Sequence, residues 1–270
     1  DVNTFSGTPT ATLSNAHTTA QLATINTALS GQLTLNDYTV ALSGTSAQVA
    51  AALDGTFAAA YTGAASTSNA HTLAQLKTIN DGTTGTITLN DVTVALSGST
   101  ADVKAALDGT FAAGYTGNVT LDDTGSVAAA DISTIAGDTS GTVTVSGNMN
   151  ITGTAAQIET AVGDVDSFSG TPTATLSNAH TTAQLATINT ALSGQLTLND
   201  YTVALSGTSA QVAAALDGTF AAPYTGTATV SNAHTLAQLK TINDGTTGTI
   251  TLNDVTVALS GSTADVKAAL

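Results

Sequence analysis

The sequence predicts an α/β fold: a tandem-repeat, solenoid-like rod of strand–helix–hairpin–helix units about 54 residues long. Three observations predict it. The chain repeats itself at two scales, and each repeat carries two helix-start signals. The segments between those signals alternate apolar and polar residues as strands do.

The repetition comes first. Residues 1–107 recur without a gap as residues 164–270, an offset of 163, and only six positions differ: Asn3/Asp166, Thr4/Ser167, Ala60/Pro223, Ala64/Thr227, Ser66/Thr229 and Thr67/Val230. Inside that unit, Gly44, Gly98, Gly153 and Gly207 are equivalent, at spacings of 54, 55 and 54 residues. The boundaries follow: 1–9 closes a preceding repeat, 10–63 is repeat type 1, 64–117 type 2 and 118–172 a diverged type 3. Then 173–226 copies type 1, and 227–270 copies type 2 in truncated form. Because Leu270 is the equivalent of Leu107, in mid-repeat, the chain reads as a segment of a longer array.

Each element has its own signal. Leu22, Ile25 and Leu29 fall at helical spacing behind Thr18, which forms an S/T-x-x-Q capping box with Gln21. Thr72 with Gln75, Thr181 with Gln184 and Thr235 with Gln238 repeat it. A second, shorter helix starts at Thr45 with Gln48, Ser99 with Asp102 and Thr154 with Gln157, and Asp54-Gly55 supplies its stop. Between the helices, "GTITLNDVTVALSG" places Ile87 and Leu89 before Asn90-Asp91, with Val92, Val94 and Leu96 after it. A two-residue turn at Asn90-Asp91 sets Leu89 opposite Val92; a sharp solenoid corner is the other reading of the same dipeptide. Short strands at 10–14, 118–123 and 227–231 precede the first helix of their repeats. Each repeat therefore divides into two strand–helix halves of about 27 residues.

Composition narrows the chemistry. Hydrophobic residues make up 42% of the chain but aromatics only 4%, so the core is built of small side chains in thin layers. The net charge of −15 and the four Lys, with no Arg, exclude a phosphate-binding patch and point away from nucleic acid. With no Cys there are no disulfides and no thiolate chemistry. No apolar run approaches the ~18 residues that read as a membrane span, so no membrane insertion is expected.

All four histidines, His17, His71, His180 and His234, sit in the recurring "SNAH" just before a helix cap, with no second histidine near any of them. They read as pieces of the helix start rather than as metal ligands. There is no G-x-S-x-G elbow and a single Glu, so no reaction is expected. Calcium is the one cofactor the composition admits, through the turn aspartates Asp37, Asp91, Asp200 and Asp254 and the pair Asp122-Asp123. The alternative for those residues is turn formation and solubility. Phe57 and Tyr61 recur as Phe111/Tyr115 and Phe220/Tyr224, and read as plugs between repeats in preference to a carbohydrate-stacking platform. Lysines occur only in type 2 repeats, which excludes a general isopeptide staple.

The phrases "TGTITLNDVTVALSGSTADVKAAL" and "SGTVTVSGNMNITGTAAQIETAV" resemble repeats of giant secreted, adhesin-like surface proteins of aquatic bacteria, among them the very large surface proteins of marine cyanobacteria. The resemblance implies an extracellular structural role, often with one-step export. The expected function is a rod, filament or surface coat whose partner is itself. The alternative is an adhesin stalk or binding array that contacts glycans or another surface, stabilised by calcium.

Overall fold

The computed structural model describes residues 7–270; residues 1–6, most of the segment read as the close of a preceding repeat, lie outside the described residues. The protein is α/β, and every strand pairing with an assigned direction among the described residues is parallel. In chain order the elements are β1 (Ala11–Thr12), α1 (Thr19–Ala28), β2 (Leu33–Thr34), β3 (Leu42–Gly44), α2 (Ser46–Leu53), β4 (Ala65–Thr67), α3 (Leu73–Gly82) and β5 (Ile87–Thr88). They continue with β6 (Leu96–Gly98), α4 (Thr100–Leu107), β7 (Val119–Leu121), β8 (Ser126–Ala128), α5 (Ala129–Asp138), β9 (Val143–Val145), β10 (Asn150–Gly153), α6 (Ala155–Asp164) and β11 (Ser167–Phe168). The rest are β12 (Thr173–Leu176), α7 (Thr182–Ala191), β13 (Leu196–Thr197), β14 (Leu205–Gly207), α8 (Ser209–Leu216), β15 (Ala228–Val230), α9 (Leu236–Gly245), β16 (Ile250–Leu252) and α10 (Thr263–Ala269).

The chain forms two compact units. One holds the described residues up to Leu121 with Thr134–Thr144, the other Asp122–Ser133 with Val145–Leu270. In the first unit, Ala11 pairs with Leu33, and Leu33 bridges to Phe57. Leu42 pairs with Ala65, Ala65 with Ile87, and Ile87 bridges to Phe111. In the second, Ser126, Asn150 and Thr173 follow in register, and Leu205, Ala228 and Ile250 form a further ladder. Successive helices pack on one another in the same order, α1 on α2 on α3 on α4 in the first unit and α6 through α10 in the second.

The ladders are short because two periods disagree. Helix caps at Thr18, Thr45, Thr72 and Ser99 lie 27 residues apart. The rungs advance less: Leu42 to Ala65 to Ile87 spans steps of 23 and 22. A ladder therefore slips towards the middle of each successive coil, meets the corner and ends, and a new one starts beside it. Within a rung the pleat decides which side chains are inside. Leu42, Ala65 and Ile87 are buried at 1%, 0% and 1% exposure, while Ser43 and Thr88 are exposed.

The capping boxes form as the sequence predicts, except that Ser99 accepts from the Asp102 amide and donates its hydroxyl to the Asp102 carboxylate, and a further box forms at Thr208. Thr18, Thr45, Thr72, Thr154, Thr181, Thr208 and Thr235 each accept from the N3 amide, and the N3 Gln side chain returns the bond. The hairpin does not form. β5 pairs with β4 and β6 with β7, both parallel, so the two strands flanking Asn90-Asp91 never face each other. The favoured Asn-type hairpin turn needs φ above zero at both central residues, and among the described residues no non-glycine residue has positive φ. Instead Asp91 Oδ1 accepts from the Thr93 amide at 2.8 Å and its hydroxyl at 2.6 Å, a side-chain turn that makes a corner.

One glycine makes this corner closable. A Cβ on Gly117 would overlap the Val94 carbonyl oxygen and lie 2.8 Å from Tyr115 Cε1; Gly63 and Gly226 meet Val40 with Tyr61 and Val203 with Tyr224 in the same way. Neither neighbour can yield, since one is backbone and the other a buried ring. Gly117→Ala is expected to cost about 1–3 kcal/mol in denaturant unfolding, against less than about 0.5 kcal/mol for the exposed control Ser97→Ala.

Candidate functional site

"SNAH" holds residues that tie one coil to others. In the second copy, Asn69 Oδ1 accepts from the backbone amide of Ser46 at 2.7 Å, and the Ser46 hydroxyl, 3.1 Å from Asn69 Oδ1, donates its one proton over the shorter 2.9 Å to Ala70 O. Ser46 is the first residue of α2, so Asn69 satisfies a helix-start amide that has no partner inside the helix. Asn178 does the same for the Ala155 amide, and Asn232 for that of Ser209.

The histidine reaches in the other direction. His17 Nε2 lies 3.0 Å from Tyr61 Oη, 44 residues on, and Tyr61 Oη donates to Val40 O at 2.6 Å. His71–Tyr115–Val94 and His180–Tyr224–Val203 repeat the chain, with Nε2–Oη distances of 3.1 and 3.0 Å. A phenol has one proton. With that proton given to the carbonyl, Oη accepts from the ring, which fixes the imidazole as the Nε2–H tautomer. Nδ1 is then a bare acceptor, and in all four histidines this buried atom has no hydrogen-bond partner. The tyrosine rings also stack tilted against Phe57, Phe111 and Phe220, with centroids 5.7–6.4 Å apart. The aromatic pair therefore fills the joint between coils, as its sequence position suggests.

Burial holds the imidazoles of His17, His71 and His180 below the ordinary histidine range, against a smaller opposing pull from Asp37, Asp91 and Asp200. Burial, helped by Asp37, pushes the Tyr61 phenol up to about 12; Tyr115 and Tyr224 rise for the same reasons beside Asp91 and Asp200. Each phenol thus stays a donor throughout the neutral range. The arrangement does not prepare a nucleophile. In the three complete chains, Nε2 is engaged by a phenol that is itself engaged by a carbonyl, and Nδ1 faces no hydroxyl.

The calcium candidates sit one to a corner. Asp37, Asp91, Asp200 and Asp254 each accept from the amide and hydroxyl of the threonine two residues on, at 2.6–2.9 Å. Those bonds hold the four carboxyls below their usual range. Asp122 and Asp123 lie between β7 and β8, in a different loop. Among the described residues no three or more His, Cys, Asp or Glu gather at metal-binding distance.

Two equivalent grooves, each of about 680 Å³, open at the helix C-termini. One is lined by Asp54, Phe57, Lys77 and Asp81 and its counterpart by Asp217, Lys240 and Asp244, with exposed Lys77–Asp81 and Lys240–Asp244 pairs at 2.5 Å. A smaller cavity of about 420 Å³ adjoins His180, lined by Thr181, Thr182, Ser206 and Gln211. Geometry and fold define a class: an α/β protein of parallel strands and packed helices, joined across the chain by polar ties. Compared with known proteins, the chain matches no protein-family model, and no curated protein is significantly similar to it.

The tie has a measurable worth. Tyr115→Phe keeps the ring but leaves the Val94 carbonyl and the His71 Nε2–H unpaired in a buried site. It is expected to cost about 1–3 kcal/mol in equilibrium unfolding, while losses in combination with His71→Gln should fall short of the sum of the two single losses.

Proposed function

We propose that the chain is a tandem-repeat solenoid whose function is structural: an extracellular rod, filament or surface coat that works by repetition and self-association and catalyses no reaction. One observation carries the reading. The same set of parallel rungs, capping boxes and His–Tyr–carbonyl ties recurs in the near-identical copies 1–107 and 164–270. Keeping this geometry in both copies, with no cluster of convergent reactive groups among the described residues, is what an array needs and an enzyme does not. The extracellular setting rests on the resemblance of the repeats to giant bacterial surface proteins. No helix among the described residues is long and apolar enough to cross a membrane.

A second reading, an adhesin array that contacts glycans or another cell surface, is favoured by the outward side of the rungs. Ser43, Ser66 and Thr88 stand in register, as do Ser206, Thr229 and Thr251. Such rows offer hydroxyls at the ~4.8 Å spacing of neighbouring strands. Negative-stain imaging separates the readings: ordered fibres are expected for the structural array, and isolated strings that never associate sink the filament. The calcium-stabilised form of the adhesin has its own measurement. A lower melting temperature in EDTA supports calcium at the corner aspartates, and an unchanged one removes it.

A further inference from the structure

We propose that the His–Tyr–carbonyl chains are acid-labile clasps: mild acid, by protonating the buried imidazoles, opens the joints between stacked coils, and neutral solution closes them. The geometry carries this whether or not the chain forms filaments. In each clasp the neutral ring donates Nε2–H to the phenol and leaves Nδ1 unprotonated and without a partner. The imidazolium is a donor at both nitrogens. Its second N–H would have no protein acceptor, since Nδ1 has no partner in any of the four copies. The histidines are 4–6% exposed, so an imidazolium in the closed clasp is solvated far less than one in open water. An uncompensated buried charge and an unpaired buried donor both favour the open state.

The titratable groups facing each ring are known. Tyr61 and Asp37 face His17, Tyr115 and Asp91 face His71, and Tyr224 and Asp200 face His180; Asp254 is the nearby acid for His234. The phenols cannot neutralise an imidazolium, because they remain protonated. The aspartates attract the charge, but each is already engaged by its threonine, and burial outweighs them for His17, His71 and His180.

The sign follows. A histidine whose folded pKa is depressed contributes stability that is complete above the unfolded value, near 6.5. That stability drains away as the pH falls from there towards the folded value. The corner aspartates have depressed folded values too, so their contribution persists until the pH falls below about 3.9. The clasp therefore acts between about pH 6.5 and the onset of carboxylate titration, and the half-buried Asp138, whose carboxyl is raised by burial, opposes the loss because protonation stabilises it there.

Its occurrence is selective. The clasp closes within repeats 10–63, 64–117 and 173–226, and the diverged repeat 118–172 contains neither His nor Tyr. In that repeat Val127, Met149 and Ile151 are buried instead. Acid should thus loosen the clasped repeats and spare the diverged one.

The test compares the full chain with H17Q/H71Q/H180Q/H234Q, in which glutamine keeps an N–H for the phenol and cannot be protonated. The melting temperature of the parent is expected to fall by several degrees between pH 7.5 and 5, and that of the variant to stay level. Equal slopes would overturn the proposal. Should the variant not fold, NMR of the parent decides. Imidazole titrations below pH 6.5, with hydrogen-exchange protection lost first at residues 38–63 and 92–117 and kept at 143–162, support the clasp. Titration near 6.5 with unchanged protection sinks it.

Discussion

A parallel rung of two or three residues cannot satisfy its own backbone; only the coil before and the coil after can. That constraint governs the whole molecule. Leu42 N–H donates to Ala64 O, Ala65 N–H to Thr86 O and Ile87 N–H to Thr110 O, each step a full coil onward in sequence. A coil removed from this ladder exposes both rows of its peptide groups, and an isolated helix of 8–10 residues does not hold in water. Each rung therefore draws part of its stability from the strands paired on either side of it.

The side chains serve the same end. With few large apolar residues, the interior is closed by Leu, Ile, Val and Ala in thin layers, and Ala52 and Ala106 at 0% exposure let helices approach closely. Polar side chains supply what small apolar ones cannot. Asn26 Nδ2 donates to Ala52 O at 2.6 Å and Asn80 Nδ2 to Ala105 O at 2.7 Å, so the C-terminal carbonyls of one helix are capped from the previous one. Thr83 Oγ1 donates to Gly63 O, and Thr139 Oγ1 to Gly117 O. Charge does little of this. The ion pairs Lys77–Asp81 and Lys240–Asp244 are exposed i,i+4 contacts, a type worth only a few tenths of a kcal/mol.

What could be read in the sequence was the local part. Capping boxes, helix positions and strand alternation are properties of a few neighbouring residues, and they appear where Thr18, Thr45 and Thr72 place them. The hairpin reading failed because alternation around Asn90-Asp91 fits a turn and a corner equally. What separates them is a backbone conformation the dipeptide does not take up here. The clasp was out of reach for a different reason. His17 and Tyr61 are 44 residues apart, two coils, and their contact exists only once the stacking is known. A signal was nevertheless present: His17, His71 and His180 are each followed 44 residues later by a tyrosine, and the repeat that lacks histidine also lacks tyrosine.

The two copies of the repeat show which positions the stack holds fixed. None of the substitutions within the described residues touches a His, Tyr, Val or Gly of a clasp, or an Asn of "SNAH". Ala60/Pro223 is an exposed site, and Ala64/Thr227 acts through its carbonyl, which accepts from Leu42 in one copy and Leu205 in the other. Ser66/Thr229 keeps the outward hydroxyl. Thr67/Val230 is the informative change. Thr67 Oγ1 takes the Asn90 amide at 3.1 Å and ends the rung after Thr88. Val230 has no hydroxyl, so its backbone carbonyl takes the equivalent Asn253 amide at 2.9 Å, and the pairing runs one residue further, to Leu252. One side-chain oxygen thus exchanges a corner bond for a ladder bond while the amide stays satisfied. Both copies keep the rung amides paired to the neighbouring strand or its side chains, and Thr67/Val230 shows one such amide satisfied in two ways.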